Sequence, residues 1–277
     1  MIIIQARGGL GNQMFQYALG VTLKKRNRRT VLISRVDLTD VKTFYLPYYF
    51  ELDPIHSIMT SGSFLRGKIF DAFTSRIIPR LLEKDEDQLN GSCDKVFIKG
   101  FFQSEEYFKD AESQVRKAFT IREKHVRQYL KKYSKPDSNT AVIHVRLGDY
   151  KEFGDQKLGG ADLTLPLSYY QAQMDKLRSI GVNKFLFVSD DIEETQMVFG
   201  MSKNYTYSNG TVIQDFLHLK YATFAIISNS TFAWWACYLN ENPKKQIIAP
   251  KHWLGFKVGK EYPKGISTKS FEWTEVW

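Results

Sequence analysis

Residues 224–239 read Phe-Ala-Ile-Ile-Ser-Asn-Ser-Thr-Phe-Ala-Trp-Trp-Ala-Cys-Tyr-Leu. A short apolar run is followed by four small polar residues and a second apolar segment, which predicts a buried strand, a polar turn and a helix. The start of a helix presents unpaired backbone N–H groups, and these attract anions such as phosphate. We therefore expect this turn to form an anion-binding cradle. Its residues are Ser228, Asn229, Ser230, Thr231 and Phe232.

A second predicted strand ends in an arginine. Residues 140–146 read Thr-Ala-Val-Ile-His-Val-Arg, and the apolar pattern then breaks at Leu147-Gly148-Asp149-Tyr150. The planar guanidinium group of Arg146 can donate two parallel hydrogen bonds to a diphosphate. His144 lies two residues earlier, on the same face of the strand. It either contacts the phosphate, orients Arg146 or lines the crevice as an ordinary hydrogen-bonded histidine.

Predicted strands and helices alternate regularly after residue 139, which indicates a parallel sheet. Ligands of such sheets bind at the carboxyl ends of the strands. We expect one crevice there to collect Arg146, Ser189-Asp190-Asp191 and the cradle. The predicted strands are 140–145, 184–188, 224–227 and 246–249, and the predicted helices are 168–180, 192–199, 213–222 and 232–239.

The first half of the chain opens with a strand at 2–6 and the loop Gly8-Gly9-Leu10-Gly11-Asn12-Gln13, before a helix from Met14. Met14 stands where a dinucleotide fingerprint needs its third glycine, so a nicotinamide dehydrogenase is disfavoured. Further strands are predicted at 30–34 and 96–99, and further helices at 63–82, 105–119 and 123–133.

The turn-rich segment Ser134–Asn139 contains no apolar residue and predicts a domain boundary. It divides the chain into an N-terminal domain, 1–136, and a C-terminal domain, 137–277. A chain of 277 residues with 43% apolar content is long enough for two α/β domains.

Composition excludes some classes of protein. The two cysteines, Cys93 and Cys237, form no CxxC pattern, so neither a disulfide framework nor a zinc site is indicated. Of the net charge of +9, +8 lies in residues 1–140, which carry 24 basic against 16 acidic side chains. This excess is too diffuse for a nucleic-acid protein. It fits either a solvated basic face or contact with an anionic membrane surface.

The start of the chain has no basic stretch or cleavage site before its first strand, so we expect no signal peptide. Residues 221–239 form an uncharged stretch of nineteen, but four polar residues at its centre favour a strand and a helix over a membrane span. The expected location is cytoplasmic, with peripheral membrane contact as an option.

Three motifs together resemble glycosyltransferase family 11, the bacterial alpha-1,2-fucosyltransferases. The opening Gly8–Ala18 resembles the N-terminal signature of the family, His144–Tyr150 resembles its HxRRxDY motif, and Ser228–Leu239 resembles its SNSSFSWW block. Leu147 departs from the family pattern, which has a second arginine there. The matches extend from residue 2 to about residue 253.

The resemblance implies a GT-B architecture, in which two Rossmann-like domains with mainly parallel sheets face each other across a cleft. Residues 137–277 would bind the GDP-sugar and residues 1–136 would lie on the acceptor side. The implied reaction is an inverting transfer of L-fucose from GDP-fucose to the 2-hydroxyl of a terminal galactose in a glycan. No metal or other cofactor and no nucleic acid is expected, and the oligomeric state is left open.

The expected site residues fall into three groups. Arg146 and Asn12 would stabilise the charge that develops on the leaving diphosphate. Asp149 would act as the general base, pair with Arg146 or cap the local turn. Gln103 and Trp234 are the acceptor candidates, although Trp234 also suits the core and Gln103 precedes a helix that Ser104 would cap. The donor-binding candidates are Gly9, Gly11, Gln13, His144, Ser189, Asp190, Asp215, Ser228, Asn229, Ser230, Thr231 and Phe232.

Several of these assignments have alternatives. Asp190 either contacts the ribose or guanine or, like Ser189, caps the next helix. Asp215 either meets guanine or faces solvent. The adjacent Asp190 and Asp191 also suit a metal-dependent transferase of another specificity. Beside these enzymes stand two non-catalytic alternatives, a lectin-like protein and a polyanion binder.

Overall fold

The computed structural model describes residues 2–27, 31–34, 46–52, 82–84 and 96–276. The chain forms two compact units, Met1–Glu123 and Lys124–Trp277. The segment 134–139, at which the sequence predicts a boundary, lies inside the second unit. The predicted helix at 63–82 falls almost entirely outside the described residues.

The first unit contains a parallel sheet in which strand β1 (Ile2–Gln5) is fully buried. It pairs on one side with β2 (Val31–Ser34) and on the other with β4 (Val96–Ile98). Strand β3 (Leu82–Lys84) pairs with the far side of β4, so the order is β2-β1-β4-β3. The strand is a nearly continuous apolar run without an alternating polar face. This suits its burial, since a parallel strand is covered on both sides.

Helix α1 (Leu10–Asn27) begins four residues before the predicted Met14. The carbonyl of Gly9 already accepts the N–H of Gln13 at 3.1 Å, so the helix includes most of the predicted loop. Gly11 and Asn12 therefore lie in the first helical turn, and the true loop is only 6–9.

The prediction of one helix over 105–119 is wrong. Helix α2 (Leu46–Tyr49) lies earlier in the chain. In the region 105–119, two single 3₁₀ turns, Glu105–Tyr107 and Lys109–Ala111, precede a short helix, α3 (Glu112–Ala118). The break is at Phe108, whose backbone has φ −135° while its side chain is fully buried. Burying this ring, 6.3 Å from that of Phe15, outweighs the local preference for helix.

The second unit is built on a six-stranded sheet in which all neighbouring strands are parallel, as predicted. Its strands are β5 (Thr140–Val145), β6 (Lys184–Ser189), β7 (Tyr205–Tyr207), β8 (Phe224–Ile226), β9 (Gln246–Pro250) and β10 (Glu272–Thr274). Its helices are α4 (Glu123–Lys132, whose first residue belongs to the first unit), α5 (Leu167–Ser179), α6 (Ile192–Phe199), α7 (Val212–Tyr221) and α8 (Thr231–Tyr238). Each predicted element after residue 139 is present within one residue at either end.

The strand order β10-β9-β8-β5-β6-β7 is that of a doubly wound sheet. From β5 the chain builds outward through β6 and β7, and it then returns to add β8 on the other side. The direction of winding therefore switches between β5 and β8. Ligands bind at this switch point in open α/β sheets, outside the carboxyl ends of the strands.

The uncharged stretch 221–239 forms β8 and α8, as the polar centre predicted. Among the described helices, none is both long and apolar enough to cross a membrane.

Candidate active site

The cradle joins β8 to α8 at the switch point. Ser228 and Asn229 have no exposed surface, and Ser230 precedes α8 without a side-chain cap hydrogen bond. Asn229 donates from Nδ2 to the carbonyl of Leu163 at 3.0 Å, and its own carbonyl accepts the Tyr150 hydroxyl at 2.9 Å. The buried side chains thus support the turn from inside, while Thr231 and Phe232 are its partly exposed members.

His144 joins the end of β5 to this cradle. Its Nδ1 lies 2.8 Å from Oγ of Ser228, and its ring centroid lies 5.8 Å from that of Phe232. Burial, together with the nearby positive charge of Arg146, lowers the pKa of His144 to about 3. His144 is therefore a neutral, hydrogen-bonded histidine, which agrees with the prediction that it lines the crevice.

Arg146 leaves β5 at the switch point and lies between two carboxylates. It donates to Oδ1 of Asp149 at 2.6 Å, and its other terminal nitrogen lies 3.2 Å from Oδ2 of Asp190. Its guanidinium carbon lies 5.3 Å from the ring centroid of Tyr150. Asp149 thus pairs with Arg146, and the guanidinium plane is held beside the cradle.

Asp190 also holds the backbone that follows Arg146. Its Oδ1 accepts the N–H of Leu147 at 3.0 Å. A Cβ atom on Gly148 would lie only 2.3 Å from Oδ2 of Asp190, so the carboxylate approaches closely because residue 148 has no side chain. One carboxylate therefore contacts both the arginine and the turn that follows it.

The predicted helix cap at Ser189 or Asp190 is wrong, because Asp191 caps α6. Oδ1 of Asp191 accepts the N–H of Glu194 at 2.9 Å, while Oγ of Ser189 accepts the N–H of Asp191 at 3.1 Å. Asp190 is thereby left to face Arg146. Within the residues that the structure describes, no three His, Cys, Asp or Glu side chains cluster as metal ligands.

Leu147 occupies the position of the second arginine in the family motif. Its side chain is buried in the apolar core of the second unit, in the same cluster as Val145, Leu165 and Tyr170. A charged side chain there would be buried among apolar residues, which is costly unless it is paired. The backbone N–H of Leu147 still contributes to the site through Asp190.

Asp215 lies in the first turn of α7, which Thr211 and Gln214 close with a reciprocal capping box. Its Oδ1 accepts the hydroxyl of Ser208 at 2.5 Å. Burial raises the pKa of Asp215 to about 6. This carboxyl is therefore partly desolvated rather than a freely solvated surface group.

In the first unit, Gln103 orients Asn12. Its Nε2 donates to Oδ1 of Asn12 at 2.8 Å, and Gln13 donates from Nε2 to the carbonyl of Gly8 at 3.0 Å. Gly8 adopts φ +73°, and a Cβ there would lie 2.4 Å from Nδ2 of Asn12. Gly9 is exposed, whereas Gly11, Gln13 and Gln103 are buried. Gln103 thus supports Asn12.

The assignment of Trp234 to the acceptor is corrected by the structure. Trp234 has no exposed surface, its ring stacks on Tyr238 at 4.6 Å, and its indole N–H donates to the carbonyl of Ile266 at 3.0 Å. A buried ring with its N–H satisfied belongs to the core and offers no face to a sugar. Trp235 is equally buried.

Sequence reasoning missed the roles of Tyr150, Gly148 and Gln16. Tyr150 and Gly148 stand inside the quoted motif, but only their contacts with Asn229 and Asp190 explain them. Gln16 accepts the N–H of Arg7 at 2.9 Å and donates to the carbonyl of Gly100 at 3.0 Å, which links two segments of the first unit.

Known proteins resemble this chain over most of its length. The model of glycosyl transferase family 11 matches residues 1–275. An alpha-1,2-colitosyltransferase of Escherichia coli is 28% identical over 282 residues, covering 92% of each chain. The O-antigen biosynthesis glycosyltransferase WbnK, also of E. coli, is 26% identical over 287 residues, covering 89% of this chain and 93% of that protein.

Solved structures show the same fold at low identity. Fucosyltransferase NodZ from Bradyrhizobium superposes with a TM-score of 0.53 at 16% identity, covering 86% of this chain and 93% of that one. POFUT1 in complex with GDP gives a TM-score of 0.54 at 14% identity, covering 90% and 97%. Fold, motifs and a family match across almost the entire chain agree: the protein belongs to glycosyl transferase family 11.

Proposed function

We propose that this glycosyltransferase transfers L-fucose from GDP-fucose to the 2-hydroxyl of a terminal galactose, with inversion and without a metal. The observation that carries the proposal is Arg146, which follows β5 at the switch point of the second sheet. It lies beside the ring of Tyr150, whose hydroxyl donates to the carbonyl of Asn229 in the cradle. The names of the relatives support it, because one E. coli protein is an alpha-1,2-colitosyltransferase and NodZ is an alpha-1,6-fucosyltransferase that was soaked with GDP-fucose. The name of WbnK supports a place in bacterial surface polysaccharide assembly.

Arg146 stabilises the leaving group in this proposal. As the glycosidic bond to GDP breaks, negative charge grows on the β-phosphate, and the guanidinium group and the N–H groups at the start of α8 face that charge. The diphosphate competes with Asp149 and Asp190 for Arg146. Removing one preorganised donor of this kind costs about 3 kcal/mol, on the order of a hundredfold to a thousandfold in rate.

Asp149 accepts the proton of the acceptor hydroxyl. Its side chain is 58% exposed and lies on the 3₁₀ turn Gly148–Lys151, directly after the arginine. When the diphosphate engages Arg146, Asp149 is released from part of its ion pair and is free to accept a hydrogen bond from the acceptor hydroxyl. We expect Asp149→Asn to lower kcat by about 10² to 10⁴ while the KM for the donor changes little.

Asp215 reads the guanine base. The Watson–Crick edge of guanine presents N1–H and N2–H donors, for which an ionised carboxylate is the matching acceptor. Ser208 already donates to one oxygen of Asp215, which fixes the orientation of the carboxylate. A half-buried acceptor on the first turn of α7 suits a specific base contact more than a surface role.

Metal-independent transfer is supported by the contacts of the two adjacent aspartates. Asp190 binds Arg146 and the N–H of Leu147, and Asp191 caps α6. Both carboxylates therefore already have protein partners in the described structure. A metal bound there would have to displace an arginine and a helix cap.

The deciding experiment measures GDP release from GDP-fucose and GDP-mannose with lactose as acceptor, with and without EDTA. We expect turnover that is specific for GDP-fucose and survives EDTA. Arg146→Ala should lose on the order of a hundredfold or more in kcat. Arg146→Lys should recover only part of this loss in kcat, because lysine keeps the charge but cannot donate two parallel hydrogen bonds. Turnover abolished by EDTA would instead favour the metal-dependent alternative.

A second donor deserves a parallel assay because of the 28% identical colitosyltransferase. L-colitose is L-fucose without its 3-hydroxyl group, so the two donors differ by one hydrogen-bonding group. A kcat/KM for GDP-colitose above that for GDP-fucose would make the protein a colitosyltransferase, while the role of Arg146 would be unchanged.

A further inference from the structure

Phe153 is an exposed aromatic residue close to the proposed reaction centre. It lies in the connection between β5 and α5, just after the 3₁₀ turn that carries Asp149 and Tyr150. Its exposed fraction is 54%, which is high for a phenylalanine. Single exposed apolar residues are common, but this ring is held in place by specific contacts.

One face of Phe153 is stacked on Tyr150. The two rings are nearly parallel, with an interplanar angle of 11° and centroids 5.4 Å apart. Tyr150 is itself fixed to the cradle, because its hydroxyl donates to the carbonyl of Asn229 at 2.9 Å. Since Arg146 lies 5.3 Å from the same tyrosine ring, Phe153 is connected to the arginine through a single residue.

The connection that carries Phe153 is tightly folded. The N–H of Gly154 donates to the carbonyl of Ala161 at 2.6 Å, and the N–H of Leu163 donates to the carbonyl of Tyr150 at 2.7 Å. A Cβ on Gly154 would lie 2.2 Å from the carbonyl oxygen of Gly160, so the turn after Phe153 requires glycine. Backbone hydrogen bonds on either side of Phe153 therefore hold this ring at the surface.

We propose that the outer face of Phe153 binds the apolar face of a hexopyranose ring in the acceptor glycan, beside Asp149. This inference rests on the proposed function and adds an acceptor subsite in the second unit. A galactopyranose ring carries a patch of C–H groups on one face, and such a patch packs on an aromatic ring as other apolar groups do. Binding there would present a sugar hydroxyl toward the carboxylate of Asp149.

The position of Phe153 favours the acceptor over the nucleotide. The diphosphate is assigned to Arg146 and the start of α8, and the base to Asp215 on α7. Phe153 lies on the other side of Tyr150 in the chain of contacts, two residues after the 3₁₀ turn that carries the proposed base. Phenylalanine contributes no hydrogen bond, so its role would be to orient the ring while polar neighbours select the hydroxyl groups.

The test compares Phe153→Ala and Phe153→Tyr with the wild type in GDP-release assays against lactose. Covering about 50 Å² of apolar ring is worth about tenfold in affinity, so Phe153→Ala should raise the KM for lactose about tenfold. The KM for the GDP-sugar and the slow GDP release without acceptor should stay within about twofold of wild type. Phe153→Tyr should restore most of the lactose KM, because the aromatic face remains.

Ile180→Ala is the matched control. Ile180 has a similar exposed fraction, 57%, but it follows the last turn of α5, at the amino edge of the sheet and away from the switch point. The control should leave both KM values unchanged. Equal effects of Phe153→Ala on the donor and lactose KM values, or no effect on the lactose KM, would overturn the inference.

A binding measurement separates this inference from the proposed function. Saturation-transfer NMR on wild type and Phe153→Ala with GDP and lactose reports acceptor binding without turnover. If the wild type releases no GDP from GDP-fucose, the proposed function fails; loss of the lactose signal in Phe153→Ala alone would still support the subsite. A lactose signal of equal strength in both proteins would remove it.

Discussion

Arg146 depends on residues that do not touch the ligand in our proposal. Asp190 bridges the guanidinium group and the N–H of Leu147, and it can do so because Gly148 leaves room for its carboxylate. The side chain of Leu147 serves the core. We interpret Asp190 as a positioning residue that orients Arg146 before the donor binds.

Gly148→Ala tests this arrangement. The added Cβ would lie 2.3 Å from Oδ2 of Asp190, which must then move away from Arg146. We expect kcat/KM to fall on the order of tenfold to a hundredfold through lost orientation, with little change in the thermal midpoint. Steady-state kinetics and thermal unfolding measure the two effects.

A double-mutant cycle provides the control for Gly148→Ala. Asp190→Ala removes the carboxylate that the new methyl group strikes, so Gly148→Ala should have little further effect in that background. An equal loss in both backgrounds would show that Gly148 acts through something other than Asp190.

His144 should make the protein sensitive to acid. Its pKa is about 3 in the folded protein and near 6.5 when unfolded, so the unfolded chain binds one more proton between these values. The free energy of unfolding should therefore fall as pH falls below about 6.5, by about 2 kcal/mol between pH 7 and pH 5 from this residue.

His144→Asn keeps a hydrogen-bonding group near Ser228 but does not titrate. Urea unfolding from pH 5 to pH 7 should show a shallower dependence on pH for this variant than for the wild type. Residual dependence is expected from His218, whose pKa burial lowers to about 4. Identical slopes in the two proteins would contradict the assigned state of His144.

Among the single elements, helix α7 combines a capped N-terminus with a carboxyl group, that of Asp215, whose burial disfavours its charged form. The capping box of Thr211 and Gln214 stabilises its first turn, while burial of Asp215 raises the pKa of that carboxyl to about 6. Because the unfolded value is near 3.8, the folded state binds more protons between about pH 4 and pH 6, and stability falls as pH rises through that window.

Asp215→Asn should therefore separate stability from function. At pH 8 the variant should unfold a few degrees above the wild type, because no buried charge remains, and at pH 4 the two should coincide. The KM for the GDP-sugar should rise about tenfold to a hundredfold, since one guanine donor would face an amide N–H.

The matched control for this variant is Asp175→Asn on α5. Its side chain is largely exposed and pairs with Arg178 on the same helix. We expect no change in the donor KM and almost none in stability. A donor KM for Asp215→Asn equal to that of the control would remove Asp215 from the guanine site.

At the scale of the whole molecule, the second unit contains its own sheet and most of the proposed donor contacts. It also includes α4, whose fully buried Tyr129 lies with its hydroxyl 2.9 Å from Nδ1 of His218 on α7. The sequence-based division at 136 would separate this helix from the unit on which it packs.

Two fragments test the division. Residues 124–277 should unfold cooperatively and bind GDP, measured by calorimetry, within about tenfold of the full chain. Residues 137–277 should be less stable because removal of Tyr129 leaves an uncovered apolar surface and an unpaired His218. Equal stability of both fragments would support the boundary at 136, and a folded 124–277 without GDP affinity would assign donor binding to both units.

Most elements of the second unit, its parallel sheet and the family could be predicted from the amino-acid sequence alone. Strands 140–145 and 184–188 and the turn at 228–231 are marked by apolar runs that end at polar residues. This local pattern can be recognised in the sequence without knowledge of the fold. The three-residue strands β7 and β10 are too short to show any periodicity, so only pairing with their neighbours reveals them.

The assembly of the site depends on contacts that exist only in the folded protein. His144 meets Ser228 and Arg146 meets Asp190 across different strands, and the chain shows no sign of which polar residues will pair. Trp234 is core and Phe153 is exposed, although an apolar pattern alone would place both inside. Hydrogen bonds between distant residues and the burial of a ring depend on packing, which cannot be read from the order of residues alone.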